Sequence, residues 1–276
     1  MLKKILIISV ISFAILISMA NCKGKKDVKI DPGDMGSGEL MYKRANTFIK
    51  KNSEKARLLF KEIIQLYPES IYAKKAKIGI ADSYFKQKDA ASLIIAYAEY
   101  QEYVNYYPDS PDAIYAKSQT GMCYYKMKYK PGRDQAYTFK AIEAFESLIK
   151  AYPDTEEAKK AKELVKECKK GLGIHYYKIG RSNYLLKAYN GAIIRFKQVM
   201  DNYPEFEENE KVFYYTGMSY VKLREYDTAV SFFQKVLKSY SKSKFAKKSK
   251  KMLKKIVKLR KSAPPRKPRK IKKDKE

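Results

Sequence analysis

Apolar residues recur along this chain three and four positions apart, in stretches broken by short polar segments. Four of the stretches end in Tyr-Pro: Tyr67-Pro68, Tyr107-Pro108, Tyr152-Pro153 and Tyr203-Pro204. Twelve and eight positions ahead of each proline stand an alanine and an aromatic: Ala56 and Phe60, Ala96 and Tyr100, Ala141 and Phe145, Ala192 and Phe196. A fifth copy, Ala229 and Phe233, runs into Tyr240-Ser241 without the proline. A small residue followed four later by an aromatic sets both on one helix face, and proline then stops the helix. Repetition at this scale predicts a stack of helical hairpins, none able to bury its apolar face alone.

The intervals refine the prediction. In the last copy, Thr216-Gly217-Met218-Ser219-Tyr220 is followed by Tyr226, Ala229, Phe233 and Val236, which matches the tetratricopeptide (TPR) pattern. Gly217 lets one helix approach its partner, Tyr220 and Phe233 fill the space between them, and Ala229 sits at the crossing. The fourth copy repeats the spacing with Gly180, Tyr189, Ala192 and Phe196. The third echoes the fifth, Thr120-Gly121-Met122-Cys123-Tyr124 against Thr216 to Tyr220, with a longer turn through Tyr129 to Asp134. The second uses Ala81, Tyr84, Ala96, Tyr100 and Tyr103, and the first Ala45, Phe48, Ala56, Phe60 and Ile63. The expected fold is all-α, a TPR superhelix of about five hairpins, with Phe245, Met252, Ile256 and Val257 marking a capping helix. The prolines at 68, 108, 153 and 204 lie 40, 45 and 51 residues apart. A minimal TPR needs about 34. The excess is assigned to the third turn and to one long helix over 156–187, which has no proline and keeps helical spacing through Ala161, Val165, Cys168, Leu172 and Ile179.

Charge and the two ends add a setting. The 276 residues carry 59 Lys and Arg against 30 Asp and Glu, a formal charge of +29. Such a charge points to nucleic acid, an acidic membrane surface, acidic partners or a lysine-rich proteome. The N-terminus selects among them. Lys3 and Lys4 precede an uncharged apolar run from Ile5 to Met19, then Cys22, then Lys23-Gly24-Lys25-Lys26. This resembles a lipoprotein signal, cut before a cysteine that receives lipid, although Asn21 departs from the usual Gly, Ala or Ser before it. An uncleaved anchor, or a plain signal followed by a chance cysteine, are the alternatives. Acyl chains on Cys22 would hold the chain at a membrane and set nucleic acid aside as partner. The resulting organisation is 1–21 signal peptide, 22–38 flexible tether, 39–260 TPR array and 261–276 disordered basic tail, the last containing Pro264, Pro265 and Pro268. The tail reads either as solubilising disorder or as attraction to anionic headgroups or cell-wall polymer.

No catalytic constellation is found. A single histidine, His175, leaves a metal cluster or histidine-dependent catalysis without a second partner, and no glycine-rich phosphate loop precedes a helix. The carboxylates Glu207-Glu208 read as a helix start. Cys123 and Cys168 are read as free, buried thiols in preference to a disulfide. The chain is therefore expected to be no enzyme and to carry no metal and no cofactor beyond lipid on Cys22. In TPRs the first helix of each hairpin lines a groove, and the positions expected to be exposed there include Ile78, Asp82, Phe85, Tyr115, Met122 and Tyr125. Aromatics and methionine on such a face suit an extended or helical peptide, and the same pattern also fits core between repeats.

The leader, five repeats closed by Tyr-Pro, the third-repeat turn with Arg133-Asp134, the long helix ending near Gly180 and Tyr152-Pro153-Asp154-Thr155 together resemble the BamD family of outer-membrane β-barrel assembly lipoproteins. The likeness covers most of residues 39–250. It implies a lipid-anchored adaptor on the periplasmic face of the outer membrane, gripping the barrel-forming assembly protein and recognising barrel precursors. By the same resemblance Tyr72, four residues after the first Tyr-Pro, would receive a precursor's C-terminal signal, and Arg195 would contact the barrel protein. Two other readings stay open: a TPR lipoprotein of another envelope process such as cell-wall and division coordination, and an anchored basic domain that binds anionic envelope polymer or lipid.

Overall fold

The structure, a computed structural model, describes residues 37–262. The predicted signal peptide, nearly all of the predicted tether and the tail from residue 263 onward lie outside the described residues. Eleven helices and no strand occur among those described. They are α1 (Gly38–Phe48), α2 (Ser53–Leu66), α3 (Ile71–Phe85), α4 (Ala90–Tyr106), α5 (Pro111–Met127), α6 (Ala136–Ala151), α7 (Glu156–Leu185), α8 (Tyr189–Asn202), α9 (Asn209–Lys222), α10 (Tyr226–Ser239) and α11 (Lys244–Ser262). The helices α1–α2, α5–α6, α7–α8 and α9–α10 pair as hairpins and α11 follows as a cap, the all-α TPR pattern that the repeats predict. The long helix spans 30 residues. One boundary moves: Ser37 and Gly38, read as tether, start α1. The Ser37 hydroxyl accepts a hydrogen bond from the Leu40 amide at 3.4 Å, and buried Gly38 packs against the Tyr67 ring. A Gly-Ser-Gly string is linker-like by composition, but a serine placed just before a helix caps it.

The repeating Tyr-Pro is a helix stop followed by a turn and, at three of its four occurrences, a helix start. Tyr67, Tyr107, Tyr152, Tyr203 and Tyr240 are all C-caps with φ between −131° and −139°. Each donates its amide to the carbonyl four residues back, from Ile63, Tyr103, Leu148, Val199 and Val236. Proline disfavours helical geometry in the residue before it, which explains four of the five. Tyr240 adopts the same geometry ahead of Ser241. Proline is therefore not required for the stop, and the fifth copy ends at Tyr240 as the others end at theirs. Three residues after the tyrosine comes the next cap. Ser70, Ser110, Thr155 and Ser243 each donate their amide to the tyrosine carbonyl, and each hydroxyl accepts a bond from the first turn of the following helix. The fourth junction differs: buried Phe206 stands three residues after the tyrosine, the N-cap falls at Glu208 without a side-chain bond, and Asn209 donates a side-chain hydrogen bond to the Pro204 carbonyl at 2.7 Å.

Rings and small residues fill the hairpins. Phe60, Phe145, Phe196 and Phe233 have no solvent exposure, nor have Ala56, Ala96, Ala141, Ala192 and Ala229. Gly121, Gly180 and Gly217 lie directly under Phe145, Phe196 and Phe233. A buried phenylalanine is worth roughly 1.5–3 kcal/mol and a surface ion pair at most about 1. The rings, not the Lys–Glu pairs across the surface, hold the helices together.

The helices fall into two compact units, divided between Gln87 and Lys88. In the first, α1 packs on α2, α2 on α3, and α1 also meets α3 around Met41, Leu59, Phe60 and Ile63. In the second, each helix from α4 to α11 packs on the next, and α5 with α7, α7 with α9 and α9 with α11 also meet. This alternation of neighbours is what stacked TPR hairpins require. The turns after α3, α7 and α9 each contain a residue in the left-handed region, Lys88, Lys187 and Arg224, at φ 61–66°. The longer third turn is held by Gln135, whose amide donates to the Lys130 and Arg133 carbonyls, and by His175 Nδ1, 2.8 Å from the Pro131 carbonyl. A carbonyl only accepts, so Nδ1 carries the proton. The lone histidine is thus half-buried on the long helix, with a structural partner.

Candidate protein-interaction site

Four of the groove and partner residues predicted from sequence fall in the first unit. Tyr72 stands in the first turn of α3, half-buried, its ring 5.9 Å from that of Tyr42 and with the Lys75 ammonium 5.7 Å from its centre. Glu39, at the start of α1, hydrogen-bonds Lys43 and Tyr72. These bonds, that to Lys43 first, hold its carboxyl below the usual range, while burial and then Glu39 push the Tyr72 phenol up. Asp82 and Phe85 lie further along α3, both half-buried. Ile78, expected on the groove, is 7% exposed and belongs to the core. Helix α3 has little amphipathic contrast: α1 and α2 together enclose more of its surface than a single stripe.

The others fall in the second unit. Tyr115, Met122 and Tyr125 on α5 are half-buried. Tyr115 meets Tyr100 edge-on at 6.3 Å. Met122 packs against the core of α6 and α7. Tyr125 lies against Phe145 and donates its hydroxyl to Glu167 at 2.5 Å, with Lys128 3.3 Å from the same carboxylate. Periodicity placed these residues on the correct helix but could not show how far the long helix α7 covers Met122 and Tyr125. On α8, Arg195 donates to Gln198 at 2.8 Å, and its guanidinium lies 5.9 Å from the Tyr176 ring. Tyr176 stacks on Tyr203 at 5.8 Å.

Tyr203 in turn lines a cleft of about 540 Å³ between α7 and the α8–α9 junction. Val165, Tyr203 and Phe206 give it an apolar floor, Lys162, Lys166, Lys169 and Lys170 line one wall, and Glu205 and Glu207 stand opposite. Lys170 pairs with Glu207 at 2.6 Å and Lys169 with Glu146 at 2.8 Å. Burial, helped by Tyr176, pushes the Tyr203 phenol up to about 12, so it stays neutral. Sequence reading missed this cleft. Its available signals were the lysines at 162, 166, 169 and 170, spaced to share a face of α7, and the phenylalanine standing where the other junctions have Ser or Thr. No group of three metal-ligating side chains occurs among the described residues, and Cys123 and Cys168 are free and buried.

The family model described as YfiO, Outer membrane lipoprotein, matches residues 34–228, well over half of the chain. The chain belongs to the YfiO family. BamD of Rickettsia prowazekii, an outer membrane protein assembly factor, is 26% identical over 235 residues, covering 82% of this chain and 88% of that protein. The protein of the same name from Caulobacter vibrioides is 26% identical over 201 residues, 71% of this chain and 64% of that one. The chain therefore spans slightly less than two thirds of that relative. A putative BamD from Aquifex aeolicus is 29% identical over 171 residues, 60% of this chain and 51% of that one. Among solved structures, the TPR2AB domain of yeast Sti1 in complex with pHSP90 aligns with 82% of this chain and 86% of its own, at TM-score 0.46 and 14% identity. The YfiO match includes Tyr72, Arg195 and the cleft, and it ends inside α10, so α11 lies beyond it. No helix among the described residues is long and apolar enough to cross a membrane.

Proposed function

We propose that this protein is a lipid-anchored, non-enzymatic adaptor of outer-membrane β-barrel assembly, held at the periplasmic face by acyl chains on Cys22. The observation that carries the reading is the YfiO match over residues 34–228, a span that includes both positions the BamD resemblance singles out, together with relatives named as assembly factors. On this reading the Arg195 side of α8, with Tyr176, Tyr203 and the adjoining cleft, docks a soluble domain of the barrel-forming protein. A half-buried arginine held near a tyrosine ring and by Gln198 is preorganised for a carboxylate on such a partner. Tyr72, between Glu39 and Lys75 with an aromatic neighbour, receives the terminal segment of a barrel precursor.

The test is recovery of partners from membranes in mild detergent with the full-length chain. A β-barrel protein bearing periplasmic domains is expected to co-purify, to be lost with Arg195→Glu and to be retained with Tyr72→Ala, which instead loses precursor cross-links. Recovery of cell-wall enzymes alone would replace this reading with the division-linked one.

A further inference from the structure

The capping helix α11 carries a charge that its packing does not use. Between Lys244 and Ser262 stand nine lysines and one arginine, with no acidic residue. One face is committed: Phe245, Ala246 and Ile256 are buried against the fifth hairpin, around Phe213, Val236, Ala229 and Phe233. Arg260 is paired with Asp227. Lys247, Lys250, Lys251, Lys254 and Lys255 are exposed, and none of them has an ion-pair partner among the described residues. Lys247–Lys251–Lys255 and Lys250–Lys254 are four apart on the helix, a spacing at which like charges repel and weaken it. The chain beyond the helix is of the same sign: residues 263–276 hold seven Lys and Arg and two acids.

The geometry points to α11 as a peripheral membrane-surface site that binds anionic lipid headgroups. Its apolar face is already occupied, so the helix does not insert; it meets the bilayer by charge alone, with Val257, 56% exposed, the one large apolar side chain at the surface. A dense row of ammonium groups adsorbs to a negative surface, and each base near it adds to the attraction. Anionic lipid is favoured over nucleic acid or soluble polymer because the chain belongs to an outer membrane lipoprotein family. The site lies outside the segment that defines that family, so it is a second contact, separate from any partner held by α8. The inference rests on the membrane location in the proposed function, not on barrel assembly.

The full-length lipidated chain is reconstituted into vesicles of neutral phosphatidylcholine or of phosphatidylcholine with anionic phosphatidylglycerol. Lysines are then labelled with an amine-reactive reagent and read by mass spectrometry. Lys247, Lys251, Lys254 and Lys255 are expected to label several-fold more slowly on anionic vesicles, while Lys162 and Lys166 serve as internal controls. Protection should vanish in molar salt, since screening removes contacts that involve charge alone. Equal labelling on the two vesicle types, or protection that survives salt, overturns the proposal. So does protection by a soluble polyanion without protection by anionic vesicles, which would assign the helix to an envelope polymer. Lys251→Gln with Lys255→Gln should weaken protection of Lys247 and Lys254, and because the primary readout uses the unmodified chain, misfolding of this variant leaves the test intact. Loss of barrel-protein recovery with headgroup protection retained would sink the adaptor reading and leave this one standing.

Discussion

A Cβ placed on Gly121 would lie 2.5 Å from the Phe145 ring, and one on Gly180 2.6 Å from Phe196. Both rings are fully enclosed, so they cannot swing aside without moving a helix. Gly121→Ala and Gly180→Ala are expected to destabilise by about 1–3 kcal/mol, the cost of overpacking, even after the helix-propensity gain of alanine. Gly217 meets Phe233 at 3.0 Å and should tolerate alanine better. Gly171, on the same long helix as Gly180, has nothing within 4 Å, and alanine there should stabilise by roughly 0.5–1 kcal/mol. Urea melts of the four variants give the ranking, and a destabilised Gly171→Ala would refute it. The thiols are a second residue-scale case. Burial pushes Cys123 up to about 12 and Cys168 to about 11, from 9.0. In the folded chain both stay protonated near neutrality and should resist a thiol reagent until the protein unfolds. Because the folded values are raised, their contribution to stability is complete below pH 9 and declines as pH rises through the folded values. Cys123→Ala and Cys168→Ala should flatten that alkaline loss.

At the scale of elements, the junctions decide where helices begin and end. Ser70 and Ser110 hold the same cap position, but their surroundings differ. The Ser110 hydroxyl also lies 2.9 Å from that of Tyr103, which is 1% exposed. Ser70→Ala should cost about 1 kcal/mol, the loss of a cap. Ser110→Ala should cost about 1–3 kcal/mol more, because it strands a buried phenol. Equal shifts in thermal midpoint for the two variants would show that the Tyr103 bond contributes nothing. The same junctions explain what was legible beforehand. Tyr-Pro marked every stop it occupies, because a proline's restriction on its predecessor is local. The equivalent stop at Tyr240 and the caps at Ser70, Ser110 and Ser243 carried no such flag, since a lone serine reads equally well as turn, loop or cap.

At the scale of the whole molecule, α11 seals the second unit. Ile256 is 1% exposed and covers Ala229 and Phe233, so Ile256→Ala is expected to cost about 2–5 kcal/mol and to speed amide exchange in α9 and α10. Unchanged exchange would mean that the fifth hairpin closes without its cap. With a formal charge of +29, self-repulsion opposes the compact state, and the thermal midpoint should rise as salt is added to a dilute buffer. The candidate site was the least legible part. Tyr72 and Arg195 were reached through resemblance. Ile78 was placed on the wrong side, and the cleft at Tyr203 and Phe206 was missed, because each depends on how one helix covers the next.

By itself the sequence determined the class of fold, the succession of helices, the long helix and the cap, since all of these follow from local periodicity and from the stereochemistry of proline and alanine. Only the tertiary structure decided which half-apolar residues stay accessible, how glycine and phenylalanine meet across a hairpin, and that the lysines of α11 face outward while its apolar side is consumed. Those are properties of surfaces brought together from distant positions, and a one-dimensional pattern does not contain the distance between them.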